Sequence, residues 1–544
     1  MQGLFQCASG VRVGKPRDLE DIQQILKLYP KVKATGNGHS FNAEFMCAGD
    51  NSEAVNVLMT EIDSTKAVIL APVSPLRWLE EDIPDDFPIK VNEDEMTVTV
   101  ASGIPQRILL DYLSDYVHWK EPRGWILPAF SWFIDQTVAG AVTTGTHGSS
   151  LRWGSLSSQM TALKLMLANG TEIEITPADE HLWRSTGISV GQLGLVTEVT
   201  FRIVPQQMVS KTVTERDFSD LLDIITSVSD SYNAAKESGN TNEIKDALFP
   251  VDELQAFWFV PESLSWIVKY DHPLRRPFFV RENIAAEEVP MVEAFDGETG
   301  IDGTRVYKQT EVPGIDALPA MATGDPKVWS AFFRRSLKST YGESGVYDAR
   351  KAYLSMVDRS MALHAGFAPY IQFEVAIPLK IAGECMKRVN DLIYGPEKLY
   401  EGFRTPALLR YTPGETFYLS NAQGKEGPHL WINLEDYITP SSNVTNEKFL
   451  KVIEFFTDEC NARLHWGKSG FIQSGSNYDL VEHYGENWCN FGCAVAQLDP
   501  GRKFQGDSNI WSWNAQIDGE DVPFISCCSN QGFMANKCTC LSNQ

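Results

Sequence analysis

The chain sets 71 acidic residues against 47 basic ones over 544 positions, a formal charge of −24, which argues against a nucleic-acid or anionic-membrane surface and points to a neutral substrate or one met by a locally basic pocket. With 43% hydrophobic residues and 14 tryptophans it can build a large core, and its length predicts two or three packed units. No apolar run reaches about 18 residues and Met1 to Pro16 lacks an apolar signal core, so the chain reads as soluble with no transmembrane segment, cytoplasmic or secreted after loss of a leader.

Asp18 is placed to cap a helix whose apolar residues Leu19, Ile22, Ile25 and Leu26 fall at helical spacing, with Asp21 completing the first turn. A strand at Val32 to Thr35 follows and runs into Gly36, Asn37, Gly38, His39 and Ser40, a turn at the carboxyl end of a strand, where α/β folds bind ligands. Gly36 and Gly38 have no side chain to keep a diphosphate from backbone N–H groups, so the turn is a candidate anion nest. It is not a nicotinamide-type fingerprint, because no GxGxxG opens a helix here. By itself the turn leaves two readings of His39 open, a residue that satisfies a buried turn or one presented to a ligand.

Ser102 and Pro105 precede a second helix that carries Ile108, Leu109, Tyr112 and Leu113. Asp135 to Ser150, DQTVAGAVTTGTHGSS, is either a tight glycine loop between two strands or a stretch presented to a ligand. Its small residues Ala139, Gly140, Ala141, Gly145 and Gly148 let the backbone lie against a flat or charged ligand, and Thr143, Thr144, Thr146, Ser149 and Ser150 add hydroxyls. Ala162 to Ala168 alternates as a strand, Asn169-Gly170 is a hairpin turn, and Glu172 to Thr176 alternates back. Gly191 to Pro205 supplies another glycine turn and a long strand.

From Gln206 to about Gln473 an antiparallel sheet with flanking helices is expected, with strands such as Tyr370 to Ile377 and Leu430 to Leu434. Gly297 to Asp325 reads as a loop, and from Ser474 to about Trp513 the chain is set to return to the first unit. Cys489, Cys493, Cys527, Cys528, Cys538 and Cys540 crowd the end of the chain. Cys489 and Cys493 share a face if their segment is helical, and the other four could form disulfides or a metal cluster. No standard zinc spacing is present, so no metal is expected. Disulfides would imply an oxidising compartment, which the sequons at Asn169 and Asn443 fit.

In order and spacing, GHSFN, TVAGAVTTGTHGSS, LSSQM at Leu156 to Met160, and VGQLGLVTEVTFRIVP resemble the FAD domain of the vanillyl-alcohol-oxidase-type flavoproteins, in particular the aldonolactone oxidase and alditol oxidase branch. LHWGK at Leu464 to Lys468 and LDPGRKF at Leu498 to Phe504 are similar to that branch's carboxyl-terminal signatures. The resemblance is close over about residues 10 to 206 and patchy over about 405 to 510. It implies an α+β fold: a two-part FAD-binding domain of the PCMH type (1–205, with a return segment at 474–513), an antiparallel-sheet substrate or cap domain (206–473) and a Cys-rich tail (514–544). It implies FAD joined to the His39 ring through the flavin 8α-methyl, with further contacts from Thr35, Gly36, Asn37, Gly38, Ser40, Thr143, Gly145, Thr146, His147, Gly148, Ser149, Ser157 and Val196.

The implied reaction is oxidation of a CH–OH group in a carbohydrate-like small molecule, a sugar alcohol, aldose or aldonolactone, with hydride passing to flavin N5 and dioxygen reoxidising the flavin to give hydrogen peroxide. Such a site needs a positive group for the alkoxide-like state and the reduced ring. The resemblance puts Lys468 and Arg410 beside the substrate hydroxyl and Ser149 near the same end of the flavin. One departure stands out: relatives pair an acidic residue two positions before that arginine, and here the position is Leu408. His429 and Asn433 are candidate substitutes for the lost polar contact. Two rival readings remain, a dehydrogenase with another electron acceptor and a flavin- or sugar-binding protein that has lost catalysis; intact His39 and Lys468 speak against the second.

Overall fold

In the computed structural model the first helix forms as its cap requires. Asp18 accepts the Asp21 N–H at 2.8 Å, and Asp21 accepts the Arg17 backbone N–H at 2.9 Å. The structure describes residues 7, 11–49, 52–70, 85–115, 120–121, 123–239, 253–271, 325–341, 344–352, 370–437, 447–469, 478, 480–506, 509–511, 514–517 and 520–523. Asn443, the four last cysteines and all but Asp325 of the expected 297–325 loop lie outside these residues.

A parallel three-stranded sheet comes first, made of β1 (Arg12–Gly14), β2 (Lys31–Thr35) and, between them, β3 (Ala54–Leu58). The helix α1 (Leu19–Leu28) buries Ile22 and Leu26 against Val32, Val55 and Val57 of this sheet. A five-stranded antiparallel sheet follows: β4 (Ile89–Asn92), β5 (Thr97–Ala101), β6 (Met160–Met166), β7 (Glu172–Ile175) and β8 (Leu195–Arg202), in the spatial order β4-β5-β8-β6-β7. The hairpin β6–β7 turns at Asn169-Gly170, with Gly170 at φ +82°. Two helices pack beside it, α2 (Gln106–Asp115) and α3 (Val138–Thr143).

The helix α3 forms within the 135–150 segment, for which a tight glycine loop is one of the two readings of the sequence. Its small residues let one and a half turns form, and the Thr143 and Thr144 hydroxyls bond back to the Ala139 and Gly140 carbonyls, each at 2.8 Å.

The third sheet is antiparallel and has eight strands among the described residues. They are β9 (Met208–Asp217), β10 (Glu253–Phe259), β11 (Leu264–Asp271), β12 (Gly345–Asp348), β13 (Tyr370–Pro378), β14 (Ala407–Thr412), β15 (His429–Tyr437) and β16 (Arg463–Leu464), ordered β12-β9-β11-β10-β14-β15-β13-β16. Period-2 alternation divides its central strands. Phe373 and Val375, Leu409 and Tyr411, and Ile432 and Leu434 join a core with Phe218, Val389 and Phe449 of the helices α4 (Phe218–Glu237), α5 (Leu379–Ile393) and α6 (Glu447–Glu459). Their neighbours Gln372, Glu374, Leu408, Arg410, Asn433 and Glu435 therefore point to the opposite face. A Cys385–Cys460 disulfide ties α5 to the end of α6.

Late in the chain, α7 (Glu486–Leu498) buries Trp488 and Phe491 in the core shared with the five-stranded sheet. Lys503 then accepts the Val32 N–H on its carbonyl at 2.9 Å, and its ammonium donates to the Leu26 carbonyl at 2.8 Å. Cys489 and Cys493 of α7 are both disulfide-bonded, and a further bridge joins Cys7 to Cys47. No helix of the described residues is long and apolar enough to cross a membrane. The whole is an α+β fold.

Candidate active site

The end of β2 delivers the 36–40 turn to the wall of a cavity of about 1200 Å³ that opens to solvent. Thr35, Gly36, Asn37, Gly38, His39 and Ser40 line one side, Gln136, Thr137, Gly140, Thr143, Thr144 and Thr146 a second, and Val190, Gly191, Gly194 and Val196 a third. His465 to Lys468 close one end. A Cβ on Gly36 would fall 2.2 Å from the Thr137 hydroxyl, so the turn and the start of α3 approach as only glycine allows. The Asn37 amide fixes this junction by donating to the Asp135 carbonyl at 2.6 Å. A glycine-walled cavity with exposed backbone, hydroxyls and a histidine on its rim fits FAD. The 35–40 turn, α3 with the turn after it, and the 190–196 segment would hold it.

A second cavity, about 400 Å³, shares Gln136, Thr146, His465 and Lys468 with the first. Its floor is the polar face of the third sheet, and the register sets what sits where. Glu374 pairs across β15 with Asn433, which pairs with Leu408, while Gln372 pairs with Glu435 and Arg410 with Trp431. Arg410 donates to the Glu374 carboxylate and, at 2.7 Å, to the His147 carbonyl. Lys468 donates to the Gln372 side-chain oxygen, and the Gln372 amide donates to Glu435. The Lys468 ammonium also lies 5.2 Å from the Phe133 ring centroid and 5.5 Å from that of Phe41.

Burial and neighbouring charge set the protonation here. Burial alone would push the Glu374 carboxyl up, but the Arg410 charge overcomes it and holds the group well below the usual range, so it is ionised. Burial, helped by Arg410, lowers His147, whose Nδ1 lies 2.8 Å from the Gly148 carbonyl; that nitrogen therefore carries the hydrogen of a neutral ring. Burial lowers His465 to about 3, and its Nδ1 accepts the Gly467 N–H at 3.0 Å, which leaves Nε2 as a donor. Burial also brings Lys468 down to about 8, against the opposing pull of Glu374 and Glu435. Glu435 is pushed up by burial.

His147, Glu374 and His465 offer ligand atoms within 4.8 Å of one another, a set of the kind that binds divalent metals. Arg410 already places its guanidinium on both the Glu374 carboxylate and the His147 residue, so the set reads as a neutralised ion cluster.

Of the residues expected from the sequence, Thr35 to Ser40, Thr143, Thr146 and Val196 line the large cavity, and His147 and Arg410 line the small one. Lys468 lines both. Gly145, Gly148, Ser149 and Ser157 line neither. The Ser149 hydroxyl is held between the Leu254 carbonyl, to which it donates, and the Tyr411 N–H, from which it accepts at 3.1 Å. Ser157 donates to the Val142 carbonyl at 2.6 Å, and a Cβ on Gly148 would meet the Phe130 carbonyl at 2.8 Å. Leu408 and Asn433 line the small cavity, whereas His429 is buried 3.4 Å from Glu426. Sequence reading missed Glu374, Gln372, Glu435, His465 and Lys33. For the first two a signal existed: polar residues two apart in the otherwise apolar run Tyr370 to Pro378 mark one face of a strand.

The D-arabinono-1,4-lactone oxidase family model matches residues 316–512, and an FAD-binding-domain model matches residues 88–176. Among similar curated proteins, an L-gulono-1,4-lactone dehydrogenase of Mycobacterium tuberculosis is 23% identical, the match covering 91% of this chain and 94% of that protein. A D-arabinono-1,4-lactone oxidase of Eremothecium gossypii is 24% identical, with 93% of each chain covered. A solved solvent-stable cholesterol oxidase superposes with a TM-score of 0.58 at 16% identity, covering 90% of this chain and 93% of its own, and speaks for the fold alone.

Proposed function

We propose that the chain is an aldonolactone oxidase of the vanillyl-alcohol-oxidase-type FAD-linked oxidoreductases, and that it oxidises a CH–OH group of a sugar lactone, or of a related sugar alcohol or aldose, with dioxygen as the electron acceptor. The observation that carries this reading is the junction of the two cavities at Lys468, His465, Thr146 and Gln136. A substrate in the small cavity and a flavin ring in the large one would meet there, beside a buried cation.

Bound FAD would supply the two-electron oxidant. The residues of this chain do the rest. Lys468, aimed by Gln372 and packed between aromatic rings, is protonated near neutral pH and stabilises negative charge that grows on the substrate oxygen as its proton leaves. His465 Nε2–H adds a neutral donor at the same junction. The Arg410–Glu374 pair is a fixed dipole in the wall, with Arg410 held by His147 so that it cannot swing away. Trp132, Phe133 and Leu408 supply apolar surface that limits water. The alcohol carbon and oxygen together lose two electrons and two protons, and one dioxygen leaves as hydrogen peroxide. His39, on the rim of the large cavity, is the residue proposed to hold the flavin covalently.

A panel of aldonolactones, polyols and aldoses mixed with the enzyme without oxygen tests the reading by bleaching of the flavin absorbance, followed by peroxide release once air is admitted. Bleaching with peroxide supports it. Bleaching with reoxidation only by a quinone or dye would make the chain a dehydrogenase. No bleaching by any member of the panel would overturn the substrate class.

A further inference from the structure

Lys33 lies in the middle of β2, two residues before the 35–40 turn, and lines the large cavity while only 3% exposed. Its ammonium donates to three backbone carbonyls: Val190 at 3.0 Å, Gly191 at 3.3 Å and Phe504 at 3.1 Å. Among the described residues no carboxylate is in contact with it. Asp499, the acid that acts on it from a distance, spends its oxygens on the Lys503 and Phe504 N–H groups at 3.0 and 2.8 Å. Lys503, the neighbouring cation, is turned away to the Leu26 carbonyl.

The two carbonyls on the Val190 side belong to an unusual turn. Val190 has φ +50° and Gly191 φ +63°, so two successive residues sit in the left-handed region, one of them β-branched. That region is an outlier for valine and costs stability unless its surroundings enforce it. The enforcing contacts are visible: both carbonyls turn to one ammonium, and the Val190 N–H donates to the Thr143 carbonyl at 2.8 Å. Both residues of the turn line the cavity. A buried cation touched only by carbonyl dipoles, with Asp499 acting on it from a distance and itself shared with Lys503, leaves a net positive charge on the wall of a cavity that fits FAD, where a diphosphate dianion is to be bound.

We propose that Lys33 is the counter-charge of the cofactor's diphosphate and the clamp of the Val190–Gly191 turn, joining β2, that turn and the returning segment at Phe504 into one wall, so that FAD binding and protonation of Lys33 are coupled. It acts as a positioning residue, through the turn and through its field. Burial draws the lysine down to about 7 in the FAD-free chain, with Asp499 as the opposing charge. Below that value the ammonium is present before FAD arrives. Above it, binding has to bring a proton in, so affinity falls with rising pH.

The test measures FAD affinity, by quenching of flavin fluorescence, on the full-length chain carrying His39→Ala, whose FAD exchanges whether or not the native chain has a tether. In that background the dissociation constant should rise roughly 25-fold between pH 6.5 and 8.5, the ratio for uptake of one proton by a group at about 7. Adding Lys33→Arg, charged throughout this range, should flatten the dependence. Adding Lys33→Met should weaken binding tenfold or more at pH 6.5 and also flatten it. If Lys33→Met fails to fold, as judged by circular dichroism, the comparison of Lys33 with Lys33→Arg decides alone. The proposal is overturned by FAD affinity in Lys33→Met equal to that of its parent, or by a pH dependence that survives in Lys33→Arg. No substrate is used, so the outcome is independent of the reaction proposed above.

Discussion

Replacing Lys468 by methionine keeps most of the side chain's volume and removes a buried cation whose hydrogen-bond partner is Gln372. The loss of one preorganised donor aimed at developing charge costs about 3 to 4 kcal/mol of transition-state stabilisation, a factor of about a hundred to a thousand in rate. Stability should move the other way. Burial lowers this lysine from 10.5 to about 8 in the folded chain, so its charge opposes folding at neutral pH by on the order of 3 kcal/mol, and methionine relieves that cost. The sign with pH follows from the same shift. Between about 8 and 10.5 the unfolded lysine is protonated and the folded one is not, so the native chain gains stability from this group as pH rises through that window, a gain Lys468→Met lacks. The ammonium needed for the reaction is lost over the same rise, so the native rate of flavin reduction should fall above about pH 8. Anaerobic stopped-flow reduction with the best substrate of the panel reads the rate, with the flavin spectrum as a check that FAD stays bound. A variant that reduces its flavin as fast as the native enzyme, with the same pH profile, would refute the role of the cation and leave Lys468 as a packing residue.

The native protein should keep its yellow colour in the pellet after acid precipitation, whereas His39→Ala should bind FAD in its native state and release it to the supernatant; complete release from the native protein would rule out the tether. Leu408 faces Asn433 in the small cavity and removes an acceptor for an open-chain hydroxyl. Leu408→Glu should therefore improve turnover of xylitol or sorbitol relative to the native enzyme's best substrate, since a hydrogen bond to a charged acceptor is worth about 1.5 to 3 kcal/mol. If the native enzyme already oxidises those polyols as well as any compound in the panel, and the substitution changes nothing, Leu408 does not set the specificity.

Short-range signals carried the local elements well. The Asp18 cap, the Asn169-Gly170 hairpin and the strand expected at Tyr370 to Ile377 each rest on residues a few positions apart, and each forms where it is expected. The glycine turn at 36–40 was legible for the same reason, because a missing Cβ beside a strand end constrains the backbone in one place. The local conformation of Asp135 to Ser150 was not legible, because hydroxyls and small residues suit a ligand and a short helix alike, and the helix-internal bonds of Thr143 and Thr144 decided it.

What the sequence by itself determined was the order of motifs, the glycine turn that ends β2 and the presence of Lys468 in LHWGK, all properties of contiguous residues. The polar face of the third sheet was assembled only by tertiary structure. Arg410 meets Glu374 across an intervening strand, Lys468 meets Gln372 from 96 positions away, and Lys33 is gripped by carbonyls 157 and 471 residues downstream. Ser149 shows the converse, a residue in a recognisable motif whose hydroxyl is committed to Leu254 and Tyr411, over a hundred positions distant. A side chain's charge state and direction depend on what burial removes and on which distant groups replace the lost water, and neither is written in its neighbours along the chain.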